Sequence, residues 1–342
     1  MSTLAINNPT LLDVTKRMDP QGKIDSIAEI LNETNPILKD MTMVEGNLPT
    51  GHRSTTRTAI PTVLFRKLYG GVLPGKSTTS QITDSCGMLE SYAEVDKAVA
   101  DLNGNTAAFR LSEDKAWIEG MSQKAASSIF YANEALVPEG FTGLTPRFDA
   151  GSGAENSDNM FSAYNTNAAT CTSIWLIGWS PETVFGIYPK GSMAGLQMED
   201  KGQVTVENAG NDTNFTGRME AYRTHYRWDL GLVVRDWRYV VRLHSIEVGS
   251  VKGDYATGPD LINAMIQMYE RLPNLGNVRP VFYMNRKMLT MIRLQIQKKL
   301  AGNLTFDTVA GRRFTMFDGI PVERTDALLS TETGKAIASE IA

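Results

Sequence analysis

The chain has 342 residues, of which 42% are hydrophobic and 21% are charged. That composition is typical of a globular protein with a large core, and the length predicts about two domains. The formal net charge of −4 argues against a general nucleic-acid-binding protein, which is normally basic. No apolar run approaches the roughly 20 residues that span a bilayer, and the N-terminus lacks the apolar core of a signal peptide. We therefore expect a protein made in a cytoplasm, with Cys86 and Cys171 outside any disulfide.

The first 45 residues are acidic and contain one amphipathic segment. After Pro20, apolar residues between positions 24 and 38 recur at the spacing of one helix face. This pattern is typical of an amphipathic helix.

Residues 46–83 contain no acidic residue. Two β-favouring stretches, 61–68 and 77–83, flank a centre rich in Gly and Pro, which predicts a hairpin with a turn-rich tip. Its apolar content is too small for a core, and an isolated two-stranded hairpin is only marginally stable. We therefore expect the hairpin to lie on another surface. The basic residues that it offers to a partner are Arg53, Arg57, Arg66, Lys67 and Lys76.

The stretch 84–101 carries the opposite charge, with Lys97 as its one cation. Charge complementarity favours contact between the basic hairpin of one copy and this acidic stretch of the next. The alternative is that the charges only keep a strand edge soluble. The acidic contact candidates are Glu90, Glu94 and Asp96, with Asp84 and Asp101 at the ends of the stretch.

A long helix is predicted over residues 112–133. Ser112 is placed to cap its N-terminus, and apolar residues between positions 117 and 132 recur at helical spacing. The small residues at 125–128 would allow another backbone to approach closely. Asn133 and Pro138 are placed to end the helix, which would be long for a globular protein.

The rest of the chain predicts a mixture of strands and helices. Strand-like segments crowd into residues 172–246. After them, Pro259 at a first helical position begins one helix, and Asn285 caps a second. A buried strand is predicted between these helices at 281–283, and a strand, turn and strand at 314–322.

One string, from Gly70 to Ser77, matches the GxxxxGK[ST] pattern of phosphate-binding loops. Such a loop needs a buried strand before it and a helix N-terminus after it. Here the preceding segment carries Arg66 and Lys67, and the following segment is rich in Thr without helical periodicity. We therefore favour a basic hairpin tip and keep a P-loop NTPase as an alternative.

No other motif indicates catalysis. The three histidines, His52, His225 and His244, lie outside any zinc-binding spacing, and no nucleophilic serine motif occurs. We predict no catalytic residue, no cofactor and no metal site.

Several short strings, spread over nearly the whole chain, occur together in a distinctive order. As a set, they resemble the major capsid proteins of tailed double-stranded DNA phages that have the HK97 fold, and in particular a podovirus-associated branch. The strings are RMDP at 17–20, EGNLPTGHR at 45–53, CGMLE at 86–90, AAFRLSED at 107–114, FTGL at 141–144, YPKGS at 188–192 and VRDWRY at 234–239.

The resemblance implies an α+β, HK97-like capsid fold. Its parts would be an N-arm (1–44), an E-loop (45–92), a P domain (93–255), an A domain (256–325) and a C-terminal segment (326–342). The P domain would hold the long helix as a spine, together with the strand block at 172–246. In the commonest order of that family the A-domain helices precede the P-domain strands, whereas the strands come first here.

The same resemblance implies a structural subunit of a virion rather than an enzyme. Copies would assemble into the pentamers and hexamers of an icosahedral head that encloses double-stranded DNA. A separate scaffolding protein and a portal are implied as partners, with room for a cement or decoration protein and with no membrane. The alternative in the same fold is an encapsulin-like shell protein, which would carry cargo instead of a genome.

Overall fold

The computed structural model describes residues 33–104, 106–149, 156–163, 169–209, 217–249, 259–299, 304–309 and 312–334. Among these, one compact unit comprises residues 88–125 and 193–229 with Glu33, and is called unit 1 below. Unit 2 comprises residues 34–87, 126–192 and those from 230 onward. Because each unit is built from separate chain segments, neither can form until distant parts of the chain have met.

The described helices and strands form a mixed α and β architecture. The helices are α1 (Ile37–Asp40), α2 (Lys97–Ala100), α3 (Thr106–Tyr131), α4 (Leu144–Arg147), α5 (Leu261–Glu270) and α6 (Arg286–Lys299). The strands are β1 (Met43–Glu45), β2 (Gly51–Ala59), β3 (Thr78–Asp96), β4 (Met160–Ser162), β5 (Cys171–Trp179), β6 (Val184–Tyr188), β7 (Leu196–Ala209), β8 (Gly217–Val234), β9 (Val240–Glu247), β10 (Arg279–Met284), β11 (Leu304–Val309), β12 (Arg312–Phe317) and β13 (Ile320–Arg324).

Unit 2 is organised around the buried strand β5. Its sheet has the order β11–β12–β13–β10–β5–β6–β8, with β9 also paired to β5 and β1 paired in parallel to β6. All nine residues of β5 are buried, although successive side chains of a strand point to opposite faces. Both faces of β5 are therefore covered, which explains why its sequence is an apolar run without alternation.

Helices α5 and α6 pack against the sheet of unit 2. Their buried residues share one apolar cluster with strands β5, β9 and β10. Asn285 caps α6 as predicted, because its side chain accepts a hydrogen bond of 2.9 Å from the Met288 amide. The prediction for α5 was wrong by two positions, because the first helical residue is Leu261 and not Pro259. The cap is Asp260, whose side chain accepts a hydrogen bond from the Asn263 amide.

Unit 1 consists of the second part of β3, most of α3 and the hairpin of β7 and β8. Strands β7 and β8 pair in antiparallel fashion from Leu196–Trp228 to Ala209–Gly217. Two small clusters form its core, one around the buried Phe109 and one around Met121 and Tyr226. Each cluster contains three buried residues, so the core of unit 1 is small.

The long helix begins at Thr106 rather than at Ser112. The Ser112 hydroxyl donates to the Phe109 carbonyl at 3.0 Å, so this side chain sits inside the helix, and the prediction that it caps the N-terminus was wrong. The segment before it, TAAFRL, is rich in strong helix formers and extends the helix. Asp101 accepts a hydrogen bond of 2.7 Å from the Thr106 hydroxyl at the helix start.

The last turn of α3 is held by a close backbone approach. The Gly143 amide donates to the Ala132 carbonyl at 2.8 Å. A Cβ at Gly143 would lie only 2.7 Å from the Ser128 carbonyl oxygen and 2.8 Å from that of Ile129. The predicted approach of another backbone to the small residues of the helix is thus confirmed at Ser128.

Residues 34–45 are fixed to the rest of unit 2. The buried Asp40 carboxylate accepts hydrogen bonds from Arg279, at 2.7 Å, and from the Tyr283 hydroxyl, at 3.0 Å. Ile37 is fully buried. The remainder of the predicted amphipathic segment, positions 24–32, lies outside the described residues.

A buried carboxylate fixes the C-terminal segment of unit 2. Glu332 accepts hydrogen bonds from the hydroxyls of Tyr131 and Ser173 and from the Arg242 guanidinium, at 3.1 Å for the last. Its backbone also pairs with Cys171. Burial and the Glu332 carboxylate raise the pKa of Tyr131 far above its usual range, so this hydroxyl is a permanent donor.

Candidate assembly surface

The basic segment forms a hairpin, called the E-loop hairpin here (residues 51–87). Strand β2 pairs with β3 in antiparallel fashion from Gly51–Ser85 to Ala59–Thr78. The predicted strand at 77–83 is confirmed, but its predicted partner at 61–68 was wrong, because these residues form no strand. The Thr-rich run of β2 pairs instead, since β-branched side chains suit a pleated, exposed ladder.

Residues 60–77 form the tip of the hairpin, and the side chains from 62 to 77 are all exposed. The most exposed apolar side chains are Val63, Phe65, Leu68, Tyr69 and Leu73, each exposed by at least 86%. Folded monomers rarely show so many exposed apolar side chains in one place. The tip is therefore a surface that another molecule is expected to cover.

The predicted basic contact residues occupy two parts of this hairpin. Arg53 lies on β2 and donates to the Thr83 hydroxyl across the ladder, at 3.2 Å. Arg57 is also on β2, and its side chain is exposed. The other three are exposed residues of the tip, namely Arg66, Lys67 and Lys76.

The predicted acidic contact residues Glu90, Glu94 and Asp96 lie in unit 1, and each has a partner in its own chain. Glu94 accepts a hydrogen bond of 2.6 Å from Arg223. Asp96 caps α2 by accepting from the Ala98 amide at 2.8 Å. Glu90 has the longest contacts of the three. Its carboxylate lies 3.8 Å from Nε2 of His225 and 3.8 Å from Nε of Arg227. Contact of these residues with a second copy remains a prediction.

The root of the hairpin is fixed by a buried ion pair that the sequence did not reveal. Asp84 is 5% exposed and lies 2.8 Å from the Arg147 guanidinium. Arg147 also donates to the backbone carbonyls of Leu232, at 3.1 Å, and Thr142, at 3.0 Å. One side chain thus ties the hairpin to two other parts of unit 2. No local pattern marks Arg147 in the sequence, because its partners are distant in the chain.

Two titratable groups face each other at this root. His52 is the register partner of Asp84 in the ladder, and its ring meets Phe185 edge to face at 5.5 Å. Burial raises the pKa of the Asp84 carboxyl, against the opposing effect of Arg147. Burial likewise lowers the pKa of His52, and Arg235 lowers it further while Asp84 raises it. Both shifts disfavour charge, as expected for a partly dry site.

The P-loop string lies in the exposed tip and leads into strand β3 rather than into a helix. It therefore lacks the helix N-terminus on which phosphate binding depends. Within the described ranges, no cluster of three or more His, Cys, Asp or Glu side chains could hold a metal ion. In the same part of the chain, no helix has the length and apolar character needed to cross a membrane. Cys86 and Cys171 form no disulfide with each other or with any described residue.

The chain is similar to known proteins both in sequence and in fold. A family model described as Major capsid protein GP7 matches residues 19–336. A chain in the cryo-EM structure of bacteriophage Epsilon15 is 35% identical, with a TM-score of 0.75, over 98% of this chain and 100% of that one. A search of curated protein sequences finds no match.

Two further solved structures are more distant. The bacteriophage JBD30 capsid is 10% identical, with a TM-score of 0.44, over 94% of this chain and 99% of that one. The holo-SrpI encapsulin complex from Synechococcus elongatus PCC 7942 is 10% identical, with a TM-score of 0.39, over 66% and 92%. At such TM-scores these two likenesses carry no argument.

The α+β fold, with its long helix and exposed hairpin tip, is that of the HK97-like phage capsid proteins. The chain belongs to the GP7 family of major capsid proteins. It is a major capsid protein of a phage, and its place is the virion. The predicted family, fold class and function are confirmed.

Proposed function

We propose that copies of this protein assemble into the pentamers and hexamers of an icosahedral head, with each E-loop hairpin lying across a neighbouring copy. The exposed apolar tip carries this proposal, because its five most exposed side chains have no core of their own. Covering each of them would contribute about 1.5–3 kcal/mol when burial is complete. A shell repeats this gain at every copy.

Charge supports the same arrangement. The hairpin contributes five cations and no carboxylate between residues 46 and 83. Among the acidic candidates of unit 1, Glu90 has the longest contacts within its own chain and is 35% exposed. We propose that it meets the tip cations of the next copy, each exposed pair contributing about 0.2–1 kcal/mol.

The wider functional role follows from the family. The shell encloses the double-stranded DNA genome, is built with a separate scaffolding protein and a portal, and has room for a cement or decoration protein. The subunit acts by assembling and not by catalysis. The N-arm, E-loop, P-domain and A-domain boundaries given above belong to this proposal.

The test is a charge reversal at the tip. We expect Arg66→Glu combined with Lys67→Glu to block shell formation, because the reversed tip would repel an acidic surface. Far-UV circular dichroism should remain that of the unmodified protein, since both side chains are exposed. Assembly is measured by sedimentation velocity at low and high salt, and high salt should weaken assembly of the unmodified chain.

The matched control keeps the charges and exchanges the residues, as Arg66→Lys with Lys67→Arg. It should assemble like the unmodified protein. Normal assembly of the Glu variant at low salt would instead show that these charges only keep the hairpin soluble.

A further inference from the structure

The N-terminal half of α3 carries an exposed apolar stripe, called the α3 stripe here (Leu111, Lys115 and Ile118). Leu111 and Ile118 are exposed by 59% and 37%, and a spacing of two helical turns puts them on one face. Lys115 lies between them on that face, and its side chain is exposed. Further along the same face, Ala125 and Ile129 are buried. The face is therefore open only toward the N-terminus of α3.

The described chain begins at one end of this stripe. Glu33 is the first described residue, and its amide donates to the Glu119 carboxylate at 2.9 Å. Glu119 directly follows Ile118, so the residues just before Glu33 start within reach of the α3 stripe. Since the face is buried beyond Ala125, the open direction from Glu119 is toward Leu111. A segment that ends at Glu33 and follows this direction runs parallel to α3.

The residues before Glu33 have the pattern that fits such a surface. Apolar residues recur in 24–31 at the i, i+3, i+4 and i+7 positions of one helix face. They are Ile24, Ile27, Ala28 and Leu31. In a helix, Ile24 and Leu31 would lie about 10.5 Å apart along the axis, which is also the rise from Leu111 to Ile118. A parallel helix that ends at Glu33 would thus set one apolar stripe against the other.

The charges agree with the same alignment. Glu29 lies four residues before Glu33, and Lys115 lies four residues before Glu119. Because the rise per residue is the same in both helices, a parallel alignment would place Glu29 opposite Lys115. Glu29 follows Ala28 and therefore lies beside the apolar stripe of its segment, where it can meet the one cation of the α3 stripe.

We propose that residues 24–31 form a helix that packs in parallel on the α3 stripe of their own chain, with Glu29 directed at Lys115. This inference goes beyond the proposed shell assembly and does not depend on it, because the surface and its occupant belong to one subunit. The hydrogen bond of Glu33 to Glu119 favours the same chain, since it holds the segment at the stripe and gives it a high effective concentration there. A segment ordered in this way loses less conformational freedom when the subunit assembles.

Cysteine crosslinking in the unassembled protein tests the contact. A chain with Glu29→Cys and Lys115→Cys is oxidised at low protein concentration. We expect a reducible intrachain link at several-fold the yield of a control with Glu29→Cys and Ala116→Cys. Ala116 is also exposed, but it lies about 100° further around α3. Each singly substituted chain measures the background from Cys86 and Cys171.

Equal yields from the two pairs would overturn the proposal, because an unattached segment would reach both positions alike. A mixture of the two singly substituted chains tests the other occupant, which is the same segment of a second copy. We expect no dimers linked between positions 29 and 115. Such dimers, in place of the intrachain link, would show that the stripe is covered by a second copy and would contradict the proposal.

Limited proteolysis tests the same contact without cysteines. Trypsin cleaves after Lys23, directly before the segment, and a packed helix at 24–31 should slow this cut. Leu111→Ser with Ile118→Ser should speed cleavage after Lys23 several-fold, because the apolar contact is removed. The matched control, Ala116→Ser, should leave the rate unchanged. Equal rates in the unmodified and doubly substituted chains, with unchanged circular dichroism, would rule out the proposed packing.

Discussion

At the scale of single residues, the root of the E-loop hairpin combines two groups whose pKa values move in opposite directions. The folded protein lowers the pKa of His52 and raises that of Asp84, in both cases chiefly through burial. Each group therefore makes stability depend on pH, but with opposite sign. A lowered histidine pKa gives stability that is present above the ordinary value of 6.5 and is lost as the pH falls through the folded value. A raised carboxyl pKa gives stability that is lost as the pH rises.

The pH dependence of His52 can be isolated by substitution. Glutamine stays neutral, so His52→Gln should remove the part of the stability loss that sets in when the pH falls below about 6.5. The measurement is the melting temperature of the unassembled protein between pH 7 and pH 5. Asp84→Asn is the comparison, because it removes a group of opposite sign and should leave a loss on acidification. An unchanged pH profile in His52→Gln would contradict the assigned role of this residue.

A second residue-scale prediction concerns Asp40, which fixes residues 34–45 to unit 2. Asp40→Asn keeps the size of the side chain but removes the negative charge to which Arg279 and Tyr283 donate their hydrogen bonds. We expect a loss of about 1–3 kcal/mol in unfolding free energy, because a buried hydrogen-bonded group is left with a poorer match. Denaturant titration measures it. Asp158→Asn at an exposed position should change little, and equal effects of the two would argue against the anchor.

At the scale of secondary-structure elements, α3 depends on its C-terminal turn. A Cβ at Gly143 would press against two helix carbonyls, at 2.7 and 2.8 Å. Gly143→Ala should therefore destabilise the protein by about 1–3 kcal/mol. Gly120→Ala is the matched control, since Gly120 lies within α3 with open space around its Cβ position. It should stabilise by about 0.5–1 kcal/mol, and a loss at Gly120 with none at Gly143 would refute this account.

The hairpin tip should behave in the reverse way, with little effect on stability and a large effect on assembly. Phe65 and Tyr69 are fully exposed, so replacing both by Ser should change the unfolding free energy by less than about 0.5 kcal/mol. Assembly should be lost, because the apolar contact with the neighbouring copy disappears. Thermal melting and sedimentation velocity separate the two effects. A tip variant that assembles normally would show that the exposed side chains are not a contact surface.

The sequence predicted those helices and strands that are determined by residues close together in the chain. Asn285 was found as a cap, β3 was found from its β-branched run, and the buried strand predicted at 281–283 is the centre of β10. The start of α3 was missed because Ser112 looks like a cap although the helix formers before it continue the helix. Arg147 was missed because the ion pair with Asp84 depends on tertiary contacts, which no pattern of spacing records.

At the scale of the whole molecule, composition alone indicated a globular protein and did not point to a capsid. The identification came from a set of short strings spread over the chain, and the family model over residues 19–336 confirmed it. The physical sign of a shell-forming role is the tip at residues 60–77, whose apolar side chains no described part of the chain covers. Such a surface makes sense only in an assembly, where each copy covers the next.

If this subunit closes into an icosahedral shell through its E-loop hairpin, electron microscopy of the purified protein under assembly conditions should show it, beside the Phe65→Ser, Tyr69→Ser variant. We expect closed, uniform particles with five- and six-fold capsomers for the unmodified chain, and dispersed subunits for the variant. A stable, well-folded monomer at high concentration, or identical particles from both proteins, would contradict it.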